Sequence, residues 1–255
     1  MLFMLNGVKK LKEGSGRMAI IQNGSSLFTG DAGSGASEIR RYVITEDLVE
    51  AIIQLPADLF YNTGISTYIW VLTKGKPMHR SGKVQLIDAS KCFVKRRKNI
   101  GSKRVDLDDA CIEMILRAYE DFDNRAYEEN GLTVESKVFE NSFFGFTKVT
   151  VETAQADTSG KPILKKGKKQ PVKGASDTEI IPLSEDIDAY MEKNVLPFNP
   201  LAYIDPSKDK VGYEVPFTRL FYKFVAPASS ASIFEEIKAL EAEETILMKE
   251  LFGHA

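Results

Sequence analysis

Leu48-Val49-Glu50-Ala51-Ile52-Ile53-Gln54-Leu55, then Pro56, then Ser66-Thr67-Tyr68-Ile69-Trp70-Val71-Leu72: the reading of this stretch decides the fold. Both runs have strand length and are rich in aliphatic, β-branched and aromatic residues, and Pro56 ends the first. Residues 57–64 form a loop between them, and the strand at 66–72 is expected to pair with the next one, at 84–87, as an antiparallel hairpin, because no helix fits between them. Outward from this pair, residues 17–22 and 84–87 read as further short apolar strands. Ser37 is expected to cap a helix carrying Ile39, Val43 and Ile44, with Glu38 near its start. Strand, helix, strand and hairpin describe the end of an α/β sheet closed by an antiparallel hairpin.

Leu2, Leu5, Val8 and Leu11 fall at helical spacing, and Gly14 and Gly16 follow as a stop. Met1 therefore reads as an entry into the middle of a buried helix, which raises the question of what precedes it. The apolar start lacks a basic leader and a cleavage site, so no signal peptide is read there. Residues 23–35 read as a Gly/Ser-rich loop. Downstream, Leu107, Cys111, Met114, Ala118 and Phe122 share one helical face. Residues 143–151 are strand-like, and 184–194 form a helix capped by Ser184. Residues 157–176, rich in Lys, Gly and Pro without apolar periodicity, read as an exposed or disordered linker. Four prolines make 196–216 irregular. Ser232-Ile233-Phe234-Glu235 reads as a capping box. Behind it, Ile233, Ile237, Leu240, Leu247 and Leu251 form a short coiled-coil stripe that needs something to dock on. The division expected is 1–125 as sheet domain, 126–229 as a mixed α+β region, and 230–252 as a C-terminal helix.

The 255 residues are 43% hydrophobic and 27% charged, an ordinary globular balance, and the net charge of −2 provides no global field for nucleic acid. Contact with DNA would have to come from local patches. Cys92 and Cys111 offer neither a disulfide framework nor metal-ligand spacing, and His79 and His254 have no ligand-spaced partners. No apolar run reaches the roughly 18–20 residues of a membrane span. A reduced, cytoplasmic, metal-free protein away from membranes is expected.

Three stretches carry a family resemblance. They are residues 16–28 (GRMAIIQNGSSLF), residues 39–65 from Ile39-Arg40-Arg41 through Leu55-Pro56 to Leu59-Phe60-Tyr61-Asn62-Thr63-Gly64-Ile65, and residues 211–219 (VGYEVPFTR) preceded by Val195-Leu196-Pro197. Together they resemble the second half of the modification subunit of type I restriction-modification systems, an adenine-N6 DNA methyltransferase family. The resemblance implies the trailing half of a Rossmann-like sheet that binds S-adenosylmethionine in the intact protein. It also implies DNA, a specificity subunit and a restriction subunit as partners. The family's glycine-rich donor loop and its Asn-Pro-Pro-Phe/Tyr motif belong upstream of Met1 and are not found in these 255 residues. Asn199-Pro200-Leu201 lacks the second proline. Methyl transfer to adenine N6 needs acceptors that polarise the amine, in line with the sulfonium methyl, and a base flipped onto an aromatic face. The chain alone is therefore expected neither to bind the donor nor to methylate, and no catalytic or cofactor-binding residue is assigned to it.

The resemblance assigns packing against the flipped base to Phe60, with Tyr61 beside it; the other reading is that either ring plugs the sheet edge. Asn62 is a DNA-contact candidate or part of a tight turn. Within the basic run 91–104, Lys95, Arg96, Arg97, Lys98, Lys103 and Arg104 are candidates for phosphate contacts, against a solvated surface loop. Gly30 to Gly35 lacks GxGxxG spacing and a following Lys-Ser/Thr, and reads as a flexible loop near the DNA cleft. Trp70 is a core residue. The C-terminal stripe packs on the specificity subunit or within the chain. Two other functions stay open: a non-catalytic module that binds the specificity subunit or DNA, and an unrelated nucleotide-binding domain built on the glycine loop.

Overall fold

A computed structural model describes residues 1–253; His254 lies outside the described residues. The first compact unit is Met1–Phe217 and the second starts at Thr218. The first opens with α1 (Leu2–Lys10), β1 (Arg17–Asn23), α2 (Ser25–Phe28), α3 (Gly35–Thr45), β2 (Val49–Gln54) and β3 (Thr67–Thr73). β3 pairs antiparallel with β2 on one side and with β1 on the other, rather than with the strand at 84–87 as expected. Beyond β2 come β4 (Lys83–Lys91), β5 (Val94–Ile100), β6 (Lys103–Asp106), α4 (Asp109–Asp121), β7 (Arg125–Glu129) and β8 (Leu132–Glu140). The six-stranded sheet runs β1-β3-β2-β4-β8-β7 and is mixed, with only β2 and β4 parallel. Strand β2 is buried along nearly its whole length, which explains its unbroken apolar run.

One sheet face is covered by α4, whose Cys111, Met114, Ile115 and Ala118 pack with Ile53, Ile87, Cys92, Tyr127 and Val134. Asp108 caps this helix by accepting from the Cys111 N–H, and Phe122 ends it in a left-handed conformation. Trp70 is fully buried and donates through Nε1 to the Ser26 hydroxyl at 3.1 Å. Asp47, between α3 and β2, accepts from Lys76 Nζ (2.5 Å), the Gly82 N–H (2.9 Å), Asn141 Nδ2 (2.8 Å) and the Ser81 hydroxyl (3.2 Å). Burial pushes the Asp47 carboxyl up, but these donors outweigh it and hold it below its ordinary value.

A second sheet is built on β9 (Gly145–Ala154). After the short hairpin β10 (Leu164–Lys165) and β11 (Lys168–Lys169), β12 (Pro171–Pro182) runs along one edge of β9. The other edge carries β13 (Ala202–Ile204) and β14 (Lys210–Tyr213). Between them α5 (Ile187–Asn194) packs Met191 and its neighbours onto Val149, Val151 and Ile181. The second unit holds the remainder of α6 (Phe217–Phe221) and the long α7 (Ser230–Phe252).

Several local expectations are corrected. In α1 the buried residues are Met4 and Val8, whereas Leu2 is exposed, so the helix is rotated from the Leu2–Leu5–Val8 face. Residues 23–35 contain the short helix α2. Ser34, not Ser37, precedes α3; the Ser37 hydroxyl instead accepts from the Tyr213 N–H at 3.1 Å. The strand-like run at 143 starts only at Gly145 after a 3-10 turn, and Asp186 rather than Ser184 caps α5. Residues 157–176 are largely exposed, as expected, but not unpaired: β10 and β11 pair with each other and β12 runs along β9, whose other edge takes the two strands within 196–216. Ser229, not Ser232, caps α7, its hydroxyl accepting from the Ser232 N–H.

Among the described residues no helix is long and apolar enough to cross a membrane, and no group of His, Cys, Asp and Glu is placed to hold a metal ion.

Candidate nucleic-acid interface

The loop after β2 is shaped by backbone hydrogen bonds. Leu55 N–H donates to Thr67 O at 2.8 Å and closes the strand pair. Asp58 then turns the chain in a left-handed conformation, φ 58°, with its N–H directed at Gly64 O. Phe60 and Thr63 form an isolated antiparallel bridge around Tyr61 and Asn62. This is the tight turn read from the sequence. Phe60 is half-buried, Asn62 is exposed, and Tyr61 stands out at 68% exposure.

The basic run is not a loop. It folds into the hairpin β5–β6, in which Lys95 pairs with Val105 and Ile100 with Lys103. Five steps along β5 thus oppose two along β6, so Arg96, Arg97, Lys98 and Asn99 bulge out of the ladder. The hairpin tip is docked on the Phe60 loop. Ser102 N–H donates to Tyr61 O at 2.7 Å, and Arg104 N–H donates to Asp58 O at 2.9 Å. Gly101 makes the approach possible: its φ is +60°, and a Cβ there would lie 2.5 Å from Tyr61 O. Two sets of candidates separated by some thirty positions therefore share one backbone junction.

The cations divide into two groups. Arg96 and Lys103 both reach Asp106, Lys103 at 2.8 Å from Oδ1, and share its single negative charge within the hairpin. Lys103, aided by Arg96, holds the Asp106 carboxyl below its ordinary value. Lys95, Arg97, Lys98 and Arg104 are exposed and have no carboxylate partner among the described residues. Ile65 and Ile100, about half exposed, sit in the same two segments as Tyr61 and these cations. Exposed aromatic and aliphatic groups interleaved with unpaired cations suit a polyanion bearing flat bases.

The other motif stretches are joined through Arg40 of α3. Arg40, 1% exposed, donates to three carbonyls: Tyr213 O (2.7 Å), Ser26 O (3.2 Å) and Thr29 O (2.9 Å). Val215 N–H donates to Leu27 O, and Phe217 meets Tyr68 edge-to-face at 5.2 Å. Residues 211–217 are thus bolted to α2, α3 and β3. The sequence reading missed Arg40 as this clamp; its only signal was an arginine inside an otherwise apolar helix face.

The glycine loop is pinned rather than free. Asp31 pairs with Lys148 of β9 at 2.7 Å, Ala32 is buried, and Ser34 N–H donates back to Asp31 O. The Ser34 hydroxyl fills the space in front of Gly30. Gly33 and Gly35 remain exposed on its outer side.

Along α7 no residue is buried, and Ile233, Ile237, Leu240, Leu247 and Leu251 are all 46–73% exposed. Phe234, Met248 and Phe252 widen the apolar stripe.

The N-6 DNA methylase family matches residues 1–155. Over 106 residues the chain is 35% identical to the methylase subunit of type I restriction enzyme MjaVIII from Methanocaldococcus jannaschii, covering 42% of this chain and 18% of that protein. Over 156 residues it is 31% identical to the HindI methylase subunit of Haemophilus influenzae, covering 60% of this chain and 34% of that one. A solved methyltransferase subunit of a type I restriction-modification system from Streptococcus thermophilus matches at 31% identity and a TM-score of 0.46, over 55% of this chain and 26% of the other. The chain spans well under two thirds of the length of the curated relatives it matches. With the match covering more than half of the sequence, this chain belongs to the N-6 DNA methylase family.

Proposed function

We propose that the chain is the C-terminal part of the modification subunit of a type I restriction-modification system, and that the intact protein methylates adenine N6 in DNA with S-adenosylmethionine in the cytoplasm. The observation that carries this reading is the docking of the β5–β6 hairpin on the Phe60 loop by the Ser102–Tyr61 and Arg104–Asp58 hydrogen bonds. In this reading Phe60 and Tyr61 wall the pocket of an extruded adenine. Lys95, Arg97, Lys98 and Arg104, with Asn62, grip the flanking phosphates. Arg96 and Lys103 stay on Asp106 until a phosphate competes for them.

The donor cradle and the Asn-Pro-Pro-Phe/Tyr acceptors are supplied, in this proposal, by sequence outside these 255 residues. The absence of the Asn-Pro-Pro-Phe/Tyr motif from the sequence supports that view. The chain by itself is inactive in this proposal, and no chemical step is assigned to its residues. The exposed stripe of α7 favours a docking role toward the specificity subunit, through which the restriction subunit is recruited.

The test is Phe60→Ala against Phe60→Tyr in the assembled enzyme. Stacking on an extruded base contributes on the order of 1–3 kcal/mol. The alanine variant should lose about 5- to 150-fold in methylation with a small change in unfolding midpoint, and tyrosine should restore it. Parallel loss of folding and activity would assign Phe60 to the sheet edge and remove the base-pocket reading.

A further inference from the structure

Between Asp157 and Asp177 the chain has six lysines and no carboxylate: Lys161, Lys165, Lys166, Lys168, Lys169 and Lys173. All six are exposed, on a segment that forms an arm rather than a slack tether. Its root is fixed by Gln155, whose N–H donates to Gln170 O at 2.7 Å while its carbonyl accepts from Ile163 N–H at 2.7 Å. Lys166 and Gly167, both at positive φ (52° and 76°), make the two-residue turn between β10 and β11. Asn-Gly or Asp-Gly is the residue pair that such a turn favours. A lysine in this left-handed position works against the local preference and puts an ammonium at the tip.

The register adds a second conflict. Lys165 lies directly opposite Lys168, so two like charges face each other across the ladder, an arrangement that destabilises a strand pair. Asp205 acts on Lys168 and Lys169 lies over the Tyr203 ring at 5.1 Å, but Lys165 and Lys166 have no carboxylate partner among the described residues. An external line of anions would relieve the remaining charge, and the β-ribbon presents cations at its tip, Lys166, and on the face that Lys165 and Lys168 share.

We propose that the arm of residues 161–173 is a second DNA-binding element, contacting backbone phosphates of duplex DNA without reading bases. This inference rests on the reading that the protein works on DNA, but uses residues which that reading leaves aside. The alternative is that the lysines merely guard an exposed strand edge against self-association.

The experiment measures affinity of the 255-residue chain for a fluorescent duplex over a range of salt concentrations. Three proteins are compared: the wild type, an arm variant (Lys165→Gln, Lys166→Gln, Lys168→Gln), and a hairpin variant (Lys95→Gln, Arg97→Gln, Lys98→Gln, Arg104→Gln). Each phosphate contact contributes about 0.9 to the slope of log K against log salt. The arm variant should lower the slope by about 2–3 whatever the duplex sequence, and replacing the same lysines with arginine should restore it. If the hairpin variant falls but the arm variant keeps the wild-type slope, the inference is overturned and the base-pocket reading stands. If only the arm variant falls, the inference stands and the role given to the hairpin cations fails. No duplex binding by the wild type, or binding to phosphatidylserine vesicles in its place, overturns both.

Discussion

Gly101→Ala is the substitution that strains the junction between the basic hairpin and the Phe60 loop most directly. Gly101 has φ +60°, and an alanine Cβ would lie 2.5 Å from Tyr61 O, the atom that accepts the Ser102 N–H. A non-glycine residue in the left-handed region costs roughly 1–2 kcal/mol. Relieving the contact by moving the tip away forfeits the Ser102 hydrogen bond, worth about 0.5–1.5 kcal/mol net. Together these disfavour the docked tip by about 1.5–3.5 kcal/mol, which shifts its opening equilibrium by roughly 10- to 400-fold. The tip lies outside the apolar cluster between α4 and the sheet, so global unfolding should lose no more than this docking energy. Hydrogen exchange at the Ser102 and Arg104 amides should accelerate by that factor while the β2 and β4 amides stay protected. Duplex affinity should fall although no cation has been removed. An unchanged Ser102 exchange rate in the alanine variant would refute the docked junction.

Asp106→Asn should release Arg96 and Lys103, steepening the salt dependence of duplex binding by up to about 2; an unaltered slope would mean the pair does not compete with phosphate. Asp47→Asn should cost about 3 kcal/mol at neutral pH, because Lys76, 4% exposed, loses its carboxylate. The Asp47 carboxyl is depressed in the folded state, so its contribution is complete above the unfolded value near 4 and is lost as pH falls below it, through the folded value. The urea midpoints of wild type and variant should therefore converge below about pH 4, and a constant gap would contradict the assignment. Leu240→Glu with Leu247→Glu, at residues 59% and 50% exposed, should leave the unfolding midpoint within about 0.5 kcal/mol of wild type. Co-purification with the specificity subunit should weaken by at least about 2 kcal/mol, and full retention would move that interface off α7.

The two strands around Pro56 were legible because each run is apolar for a full strand length, but their pairing was not, since β3 takes β1 and β2 as neighbours rather than the strand that follows it. The helix face from Cys111 to Ala118 was legible for the same reason of period. What escaped reading is held by partners remote in sequence. Ser37 looks like a cap, yet Tyr213, 176 positions away, takes its hydroxyl. Leu2 carries the same apolar signal as Val8 but points outward. The lysine-rich segment has no alternation to mark a strand, because its pairing comes from Gln155 and the turn at Lys166-Gly167 rather than from burial. At the interface, residue types gave the aromatic loop and the basic run separately. Their union depends on main-chain hydrogen bonds that no side-chain pattern encodes.

Hydrogen–deuterium exchange of the chain with and without an adenine-containing duplex tests the shared DNA surface most directly. Coordinated protection of residues 58–65 and 94–104, at equal duplex concentrations and with α7 unaffected, is the expected result. Protection of either segment without the other, or of neither while the duplex is bound, would contradict it.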